Sequence, residues 1–259
     1  MQDLRIILAQ TDLKWEDPAA NRHHLQEKLS GNIGRPHLIV LPEMFTTAFS
    51  MRSSELAERM EGPTVEWMAT LAKATGAVLY GSLIIEEGGS YYNRGIWMRP
   101  DGSHRHYDKR HLFRMANETD HFDQGAERVV VELKGWRFLL QICYDLRFPV
   151  FSRNQGDYDG IIYVANWPEA RRAAWSKLLL ARAIENQAWV VGVNRVGSDA
   201  NDIQYTGDSV LVDPYGEVKA APGASRDQFC NALLEGDVLP SFRERFPVAK
   251  DADLFELKL

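Results

Sequence analysis

The chain has 259 residues, 45% of them hydrophobic and 25% charged, with a formal net charge of -6 and two cysteines. Such a chain can bury a sizeable core. The acidic balance weighs against nucleic acid as a partner, and two cysteines in different contexts supply no disulfide framework. No apolar run approaches the ~20 residues of a membrane-spanning helix. The opening MQDLRIILAQ lacks the basic and long apolar stretches of a signal peptide. A cytoplasmic protein with reduced thiols and no membrane partner is expected.

In chain order, LRIILAQ is short and rich in β-branched residues, and reads as a buried strand. Asp17-Pro18 opens a helix, with Asp as N-cap and Pro in the first turn, and Gly31 is placed to end it in the left-handed conformation. HLIVLPE is a second buried strand that stops at Pro42, with Glu43 directly after it. Gly62-Pro63-Thr64 starts another helix, with Val65, Met68, Leu71 and Ala72 on one face and Gly76 as its stop. AVLYGSLIIEE, SYYNRGIWMRP and SHRHYDK follow, joined by turns at Gly88-Gly89 and Pro100-Asp101-Gly102, and read as a β-meander.

WRFLLQIC is a strand that breaks at Cys143, and Phe148-Pro149 leads into a short helix. DGIIYVANWP holds a strand ending near Asn166. EARRAAWSKLLLARAIENQ is a long helix with Ala174, Leu178, Ala181 and Ile184 at helical spacing. AWVVGVNRVG reads as one further strand, DSVLVDPYGEVKA as a hairpin, and FCNALLEGDV as the last strand. There is no linker, so one domain over residues 1–259 is expected. Helices alternating with strands in some places and hairpins in others imply an α/β fold with a mixed sheet, or two sheets, and helices outside. Two stacked sheets flanked by helices would bury runs such as HLIVL and AWVVGV on both faces.

Ligands of α/β sheets bind beyond the carboxyl ends of strands, and those ends carry Glu43, Cys143 and Asn166, with Lys109 after the meander. Cys143 reads either as a small buried hydrophobe or as a nucleophile at a strand-to-helix turn. There, nearby N–H groups would lower its pKa and bind an oxyanion. Glu43 is either a solvated cap or a general base. Lys109 is either a surface cation or an oxyanion holder. A metal-dependent alternative rests on His104 and His106 on one face of a strand, with Asp108, His111 and His121 following. A non-catalytic binding protein is a third reading.

The strings LIVLPEMF, YDKRHLF and ICYDLRFP, in that order, resemble the three signature blocks of the nitrilase superfamily, and the resemblance covers nearly the whole chain. It implies a four-layer α-β-β-α sandwich, a homodimer or higher homo-oligomer paired through helices near the site, and no metal or organic cofactor. It implies a catalytic triad of Glu43, Lys109 and Cys143, and a second glutamate that matches Glu118 in NETDHFDQG. The backbone N–H of Tyr144 would assist the oxyanion. DKRHLFRMA, VANWP and ARAIENQ are similar to bacterial ω-amidases, whose substrates are the small-molecule amides 2-oxoglutaramate and 2-oxosuccinamate. Deaminated-glutathione amidases share the YDLRF block, and N-carbamoyl amine hydrolases are a further alternative. An anionic substrate needs a cation, for which Arg147, Arg171 and Arg172 are candidates. For Arg147 the favoured reading is a fold-stabilising ion pair with Asp145 or another acid. Trp167, Phe45 and Phe113 are candidate pocket walls. Cys230 is expected in the core.

Overall fold

The computed structural model describes residues 1–31 and 34–258. In chain order they form β1 (Leu4–Gln10), α1 (Pro18–Leu29), β2 (Leu38–Val40), α2 (Ser53–Leu56), α3 (Pro63–Thr75), β3 (Val78–Glu87), β4 (Ser90–Met98) and β5 (His104–Asp108). Then come β6 (Val130–Leu133), β7 (Trp136–Ile142), α4 (Pro149–Ser152), β8 (Gly160–Ala165), α5 (Arg172–Asn186), β9 (Trp189–Asn194), β10 (Val196–Ser198), β11 (Gln204–Thr206), β12 (Val210–Val212), β13 (Val218–Ala220), β14 (Gln228–Leu234) and α6 (Val238–Arg245).

Two six-stranded sheets result, in the orders β14-β1-β2-β3-β4-β5 and β13-β12-β9-β8-β7-β6. Each has a parallel centre, β1-β2-β3 in one and β7-β8-β9 in the other, and antiparallel flanks. Side chains alternate between the faces of a strand, and both faces are apolar in the central strands. Ile6, Leu8, Val40 and Tyr80 of the first sheet meet Leu140, Ile142, Val164 and Val191 of the second in one core between the sheets. Ile7, Ile39 and Leu79 face outward onto Leu25 of α1 and Met68 of α3. Leu139, Ile161 and Val190 face outward onto Trp175 and Leu179 of α5. The architecture is therefore the four-layer α-β-β-α sandwich.

Three local expectations are corrected. α1 ends at Leu29 with Ser30 as a right-handed C-cap, and the left-handed glycine nearby is Gly34, not Gly31. The buried face of α5 is Trp175, Leu179, Arg182 and Ala183; the stripe Ala174, Leu178, Ala181 and Ile184 is half-exposed, and Ile184 is 55% exposed. Tryptophan offers more apolar surface to the sheet than alanine, and the helix turns accordingly. The run AWVVGVNRVG is two strands, because the chain leaves the sheet at Arg195. That buried guanidinium donates to Leu13 O at 3.0 Å, Ser198 O at 3.0 Å and Asp12 Oδ1 at 2.9 Å. β10 then pairs with β11 in a separate ribbon.

The loop after β5 is held by close backbone contact: the Gly125 N–H donates to Lys109 O at 3.0 Å. A Cβ at Gly125 would lie 2.1 Å from Asp108 O, a backbone atom that cannot swing aside. Gly125→Ala is expected to destabilise the protein by about 1–3 kcal/mol through overpacking, read as a lowered urea midpoint. Unchanged stability would show that this loop yields freely.

Candidate active site

The central strands end at a common edge, and the loops leaving them converge there. After β2, the loop carrying Glu43 is tied to β3: the Met44 N–H donates to Ser82 Oγ at 2.9 Å and the Phe45 N–H to Ser82 O at 3.2 Å. Lys109 directly follows β5, and its N–H donates to Asn93 O of β4 at 3.0 Å. Cys143 directly follows β7 with φ of 46°, a left-handed conformation that a non-glycine residue adopts at some cost.

Glu43, Lys109 and Glu118 are fully buried and bonded to one another. Lys109 Nζ donates to Glu43 Oε1 at 2.8 Å and to both Glu118 oxygens at 2.9 Å. Asn93 Nδ2 donates to Glu43 Oε1 at 2.8 Å and to Glu118 Oε1 at 3.3 Å. The Phe113 N–H donates to Glu118 Oε2 at 2.5 Å, and the Asn166 N–H to Glu43 Oε2 at 2.8 Å. Lys109 Nζ also lies 5.1 Å from the Phe49 ring centroid. Every orphan charge is thus met, as burial requires.

Burial alone would lower the Lys109 pKa, but Glu118, Glu43 and Cys143 more than offset it, so the ammonium stays charged. Burial raises the Glu118 carboxyl, with Glu43 adding to the rise and Lys109 opposing it. The Cys143 thiol is pushed well above its ordinary value by burial and then by the charge of Glu43, against the pull of Lys109. The expectation of a lowered pKa is therefore corrected: the thiol stands above its ordinary value, with desolvation the largest cause. The resting group is a thiol, within reach of the fields of both a carboxylate and an ammonium.

Cys143 is the member of this cluster that reaches solvent. It lines a cavity of about 620 Å³ with Tyr144, Phe113, Trp167, Arg147 and Arg171. Trp167 and Phe113 are walls, and each supports a guanidinium: Arg147 lies 5.1 Å from the Trp167 ring and Arg171 5.1 Å from the Phe113 ring. Neither arginine has a carboxylate within 4 Å among the described residues. Two candidates fall outside. Phe45 is buried in the core against Trp67 of α3, because its side chain follows the outward face of the sheet. Arg172 stands at the surface, paired with Asp208 at 2.6 Å. Cys230 is only half-buried, on the edge strand β14, rather than fully in the core.

The carbon-nitrogen hydrolase pattern matches residues 5–239. The chain is 46% identical over 257 residues to the omega-amidase YafV of Escherichia coli K12, covering 99% of this chain and 100% of that one. It is 30% identical over 247 residues to the 2-oxoglutaramate amidase of Bacillus subtilis, covering 93% and 95%. The crystal structure of XC1258 from Xanthomonas campestris, a CN-hydrolase superfamily protein with an arsenic adduct in its active site, superposes with a TM-score of 0.97 at 44% identity, covering 100% of both chains.

The chain belongs to the carbon-nitrogen hydrolase family. In this hydrolase the edge strand β5 carries His104 and His106 into solvent, while His111 turns inward onto Asp145. No group of three His, Cys, Asp or Glu is placed to hold a metal among the described residues. No described helix is long and apolar enough to cross a membrane.

Asn93 and the Asp145 network carry roles that no local signal in the sequence marks. Asn93 sits in an ordinary alternating strand, and nothing in YYNRG marks it. Asp145 was visible only as a possible partner of Arg147, and it is engaged elsewhere. Its Oδ2 accepts from Tyr107 Oη at 2.7 Å and from the Ile142 N–H at 2.9 Å. Its Oδ1 accepts from the His111 N–H at 3.0 Å and bonds His111 Nδ1 at 2.7 Å. The same carboxylate thus fixes the turn that carries Cys143 and the loop that carries Lys109.

Asp145→Ala would strand buried N–H and O–H donors, each worth about 1–3 kcal/mol when left unpaired. A loss of at least about 2 kcal/mol in chemical denaturation is expected, with turnover falling in the fraction that stays folded. Wild-type stability in this variant would refute the tether.

Proposed function

We propose that this hydrolase is an ω-amidase, releasing ammonia from the terminal amide of 2-oxoglutaramate or 2-oxosuccinamate through a cysteine thioester. The observation that carries the reading is the buried Glu43–Lys109–Glu118 cluster directly behind the cavity-facing Cys143. Full-length similarity to an omega-amidase and a 2-oxoglutaramate amidase supports the substrate class.

Glu43 takes the thiol proton as sulfur attacks the amide carbon. Concerted transfer is needed because the free thiolate is costly here. Lys109 and the Tyr144 N–H hold the oxyanion. Glu43, now protonated, passes its proton to the departing nitrogen, and ammonia leaves. Glu43 then removes a proton from water as it attacks the thioester. Collapse of that intermediate expels sulfur, which regains its proton, and frees the acid. Glu118 keeps Lys109 aimed and charged. Arg147 and Arg171, backed by aromatic rings and free of acidic partners among the described residues, receive the 2-oxo carboxylate. The same reading places the enzyme in the cytoplasm. It pairs two copies through the half-exposed stripe of α5.

A substrate panel with ammonia detection tests this reading. 2-Oxoglutaramate should show the highest kcat/KM among glutamine, deaminated glutathione, a carbamoyl amino acid and a simple nitrile. Faster turnover of the carbamoyl compound, with carbon dioxide released, would reassign the substrate. Cys143→Ala should lower kcat by at least about 10³-fold without unfolding the protein.

Glu43→Gln separates two effects of one carboxylate. Turnover should fall by about 10²–10⁴-fold with the base gone. Yet the thiol pKa should also fall, because the charge that raises it is removed. The midpoint of Cys143 alkylation by iodoacetamide should therefore lie at lower pH than in the wild type. A midpoint moved upward would contradict the electrostatic account.

A further inference from the structure

Asn166 directly follows β8, is 4% exposed and lines the cavity beside Cys143. Its backbone N–H donates to Glu43 Oε2 at 2.8 Å, and its Nδ2 donates to the Glu43 carbonyl oxygen at 2.6 Å and, more weakly, to Oε2 at 3.4 Å. These contacts fix which way the side-chain amide points. Turned over, its oxygen would face two oxygens of Glu43. Its Oδ1 is therefore directed away from Glu43, and among the described residues this buried acceptor has no hydrogen-bond partner. A buried acceptor without a donor is costly. In a cavity wall, such an atom marks where a ligand donor belongs.

The two oxygens of Glu43 give the site a direction. Oε1 is occupied by Lys109 and Asn93, whereas Oε2 faces Asn166. A primary amide is planar, with oxygen and nitrogen on opposite sides of its carbon. With the oxygen held on the Lys109 side, the nitrogen falls on the Asn166 side, next to the Glu43 oxygen that must later deliver a proton.

We propose that Asn166 is a specificity-determining residue whose Oδ1 accepts an N–H of the substrate's primary amide, orienting the leaving nitrogen toward Glu43. This rests on the amidase reading above and adds the reason that an amide is selected over an ester or nitrile, neither of which carries an N–H. The bond is made to the ground-state amide and kept as the nitrogen becomes tetrahedral. Its loss therefore slows acylation by amides and leaves hydrolysis of the shared thioester unaffected.

The test uses two substrates with one acyl group, 2-oxoglutaramate and the corresponding ω-methyl ester, with wild type, Asn166→Ala and the bulkier Asn166→Leu. Thermal melts identify a folded variant. Against the amide, kcat/KM should fall about 10²-fold, the scale of one lost active-site hydrogen bond. Against the ester the loss should be at least about tenfold smaller, limited to what the missing bonds to Glu43 cost both substrates. Equal losses on amide and ester would overturn the proposal, because Asn166 would then act only by holding Glu43. An unaltered amide rate in either folded variant would overturn it as well. Wild-type enzyme that releases no ammonia from any amide of the panel would instead defeat the ω-amidase reading.

Discussion

One buried ammonium organises the site. Lys109 has no exposure to water and bonds three carboxylate oxygens at 2.8–2.9 Å. Taking such a charge out of water is expensive, and the arrangement persists only because two glutamates accept from it while the amide of Asn93 donates to both glutamates. Removing one partner from such a cluster leaves an uncompensated buried charge, typically worth about 3–5 kcal/mol. The structure therefore spends stability on a fixed positive field beside Cys143, where negative charge develops during amide attack. Water there would screen the field, and the burial that costs stability is what preserves it.

The sandwich exists, from the viewpoint of chemistry, to bring four strand ends together. Glu43 leaves β2 and Lys109 leaves β5 in one sheet, while Cys143 leaves β7 and Asn166 leaves β8 in the other. The core between the sheets fixes the distance across that junction. Side-chain bridges refine it: Asn166 ties the second sheet to Glu43, and Asp145 ties the turn of Cys143 to the loop of Lys109. The cavity wall then comes from segments outside both sheets, including the β10–β11 ribbon, which contributes Asp199 and Tyr205 near its ends.

Much of this was legible beforehand. Central strands buried on both faces announce themselves as apolar runs, and HLIVL, RFLLQI and IIYVA each proved to be one. Abrupt stops at Pro42 and after Ile142 placed Glu43 and Cys143 at strand ends. The face of α5 was less legible, since Ala174, Leu178, Ala181 and Ile184 are as regularly spaced as the residues actually buried. Periodicity gives a stripe's spacing and leaves open which stripe the sheet will take. Phe45 and Arg172 show the same limit: each stands beside a residue of the site in sequence, yet faces the core or the solvent.

The sequence alone determined the strand ends and the chemical types gathered there, because hydrophobic period and turn chemistry are local properties; the layer order came with the resemblance of its signature blocks. Tertiary structure decided the rest: that Asn93 lies between two glutamates, that Arg147 rests on Trp167 and leaves Asp145 to His111 and Tyr107, and that burial lifts the Cys143 thiol. Those facts depend on residues distant along the chain meeting where water is excluded. The strength of a charge or hydrogen bond there is set by its surroundings rather than by its neighbours in sequence.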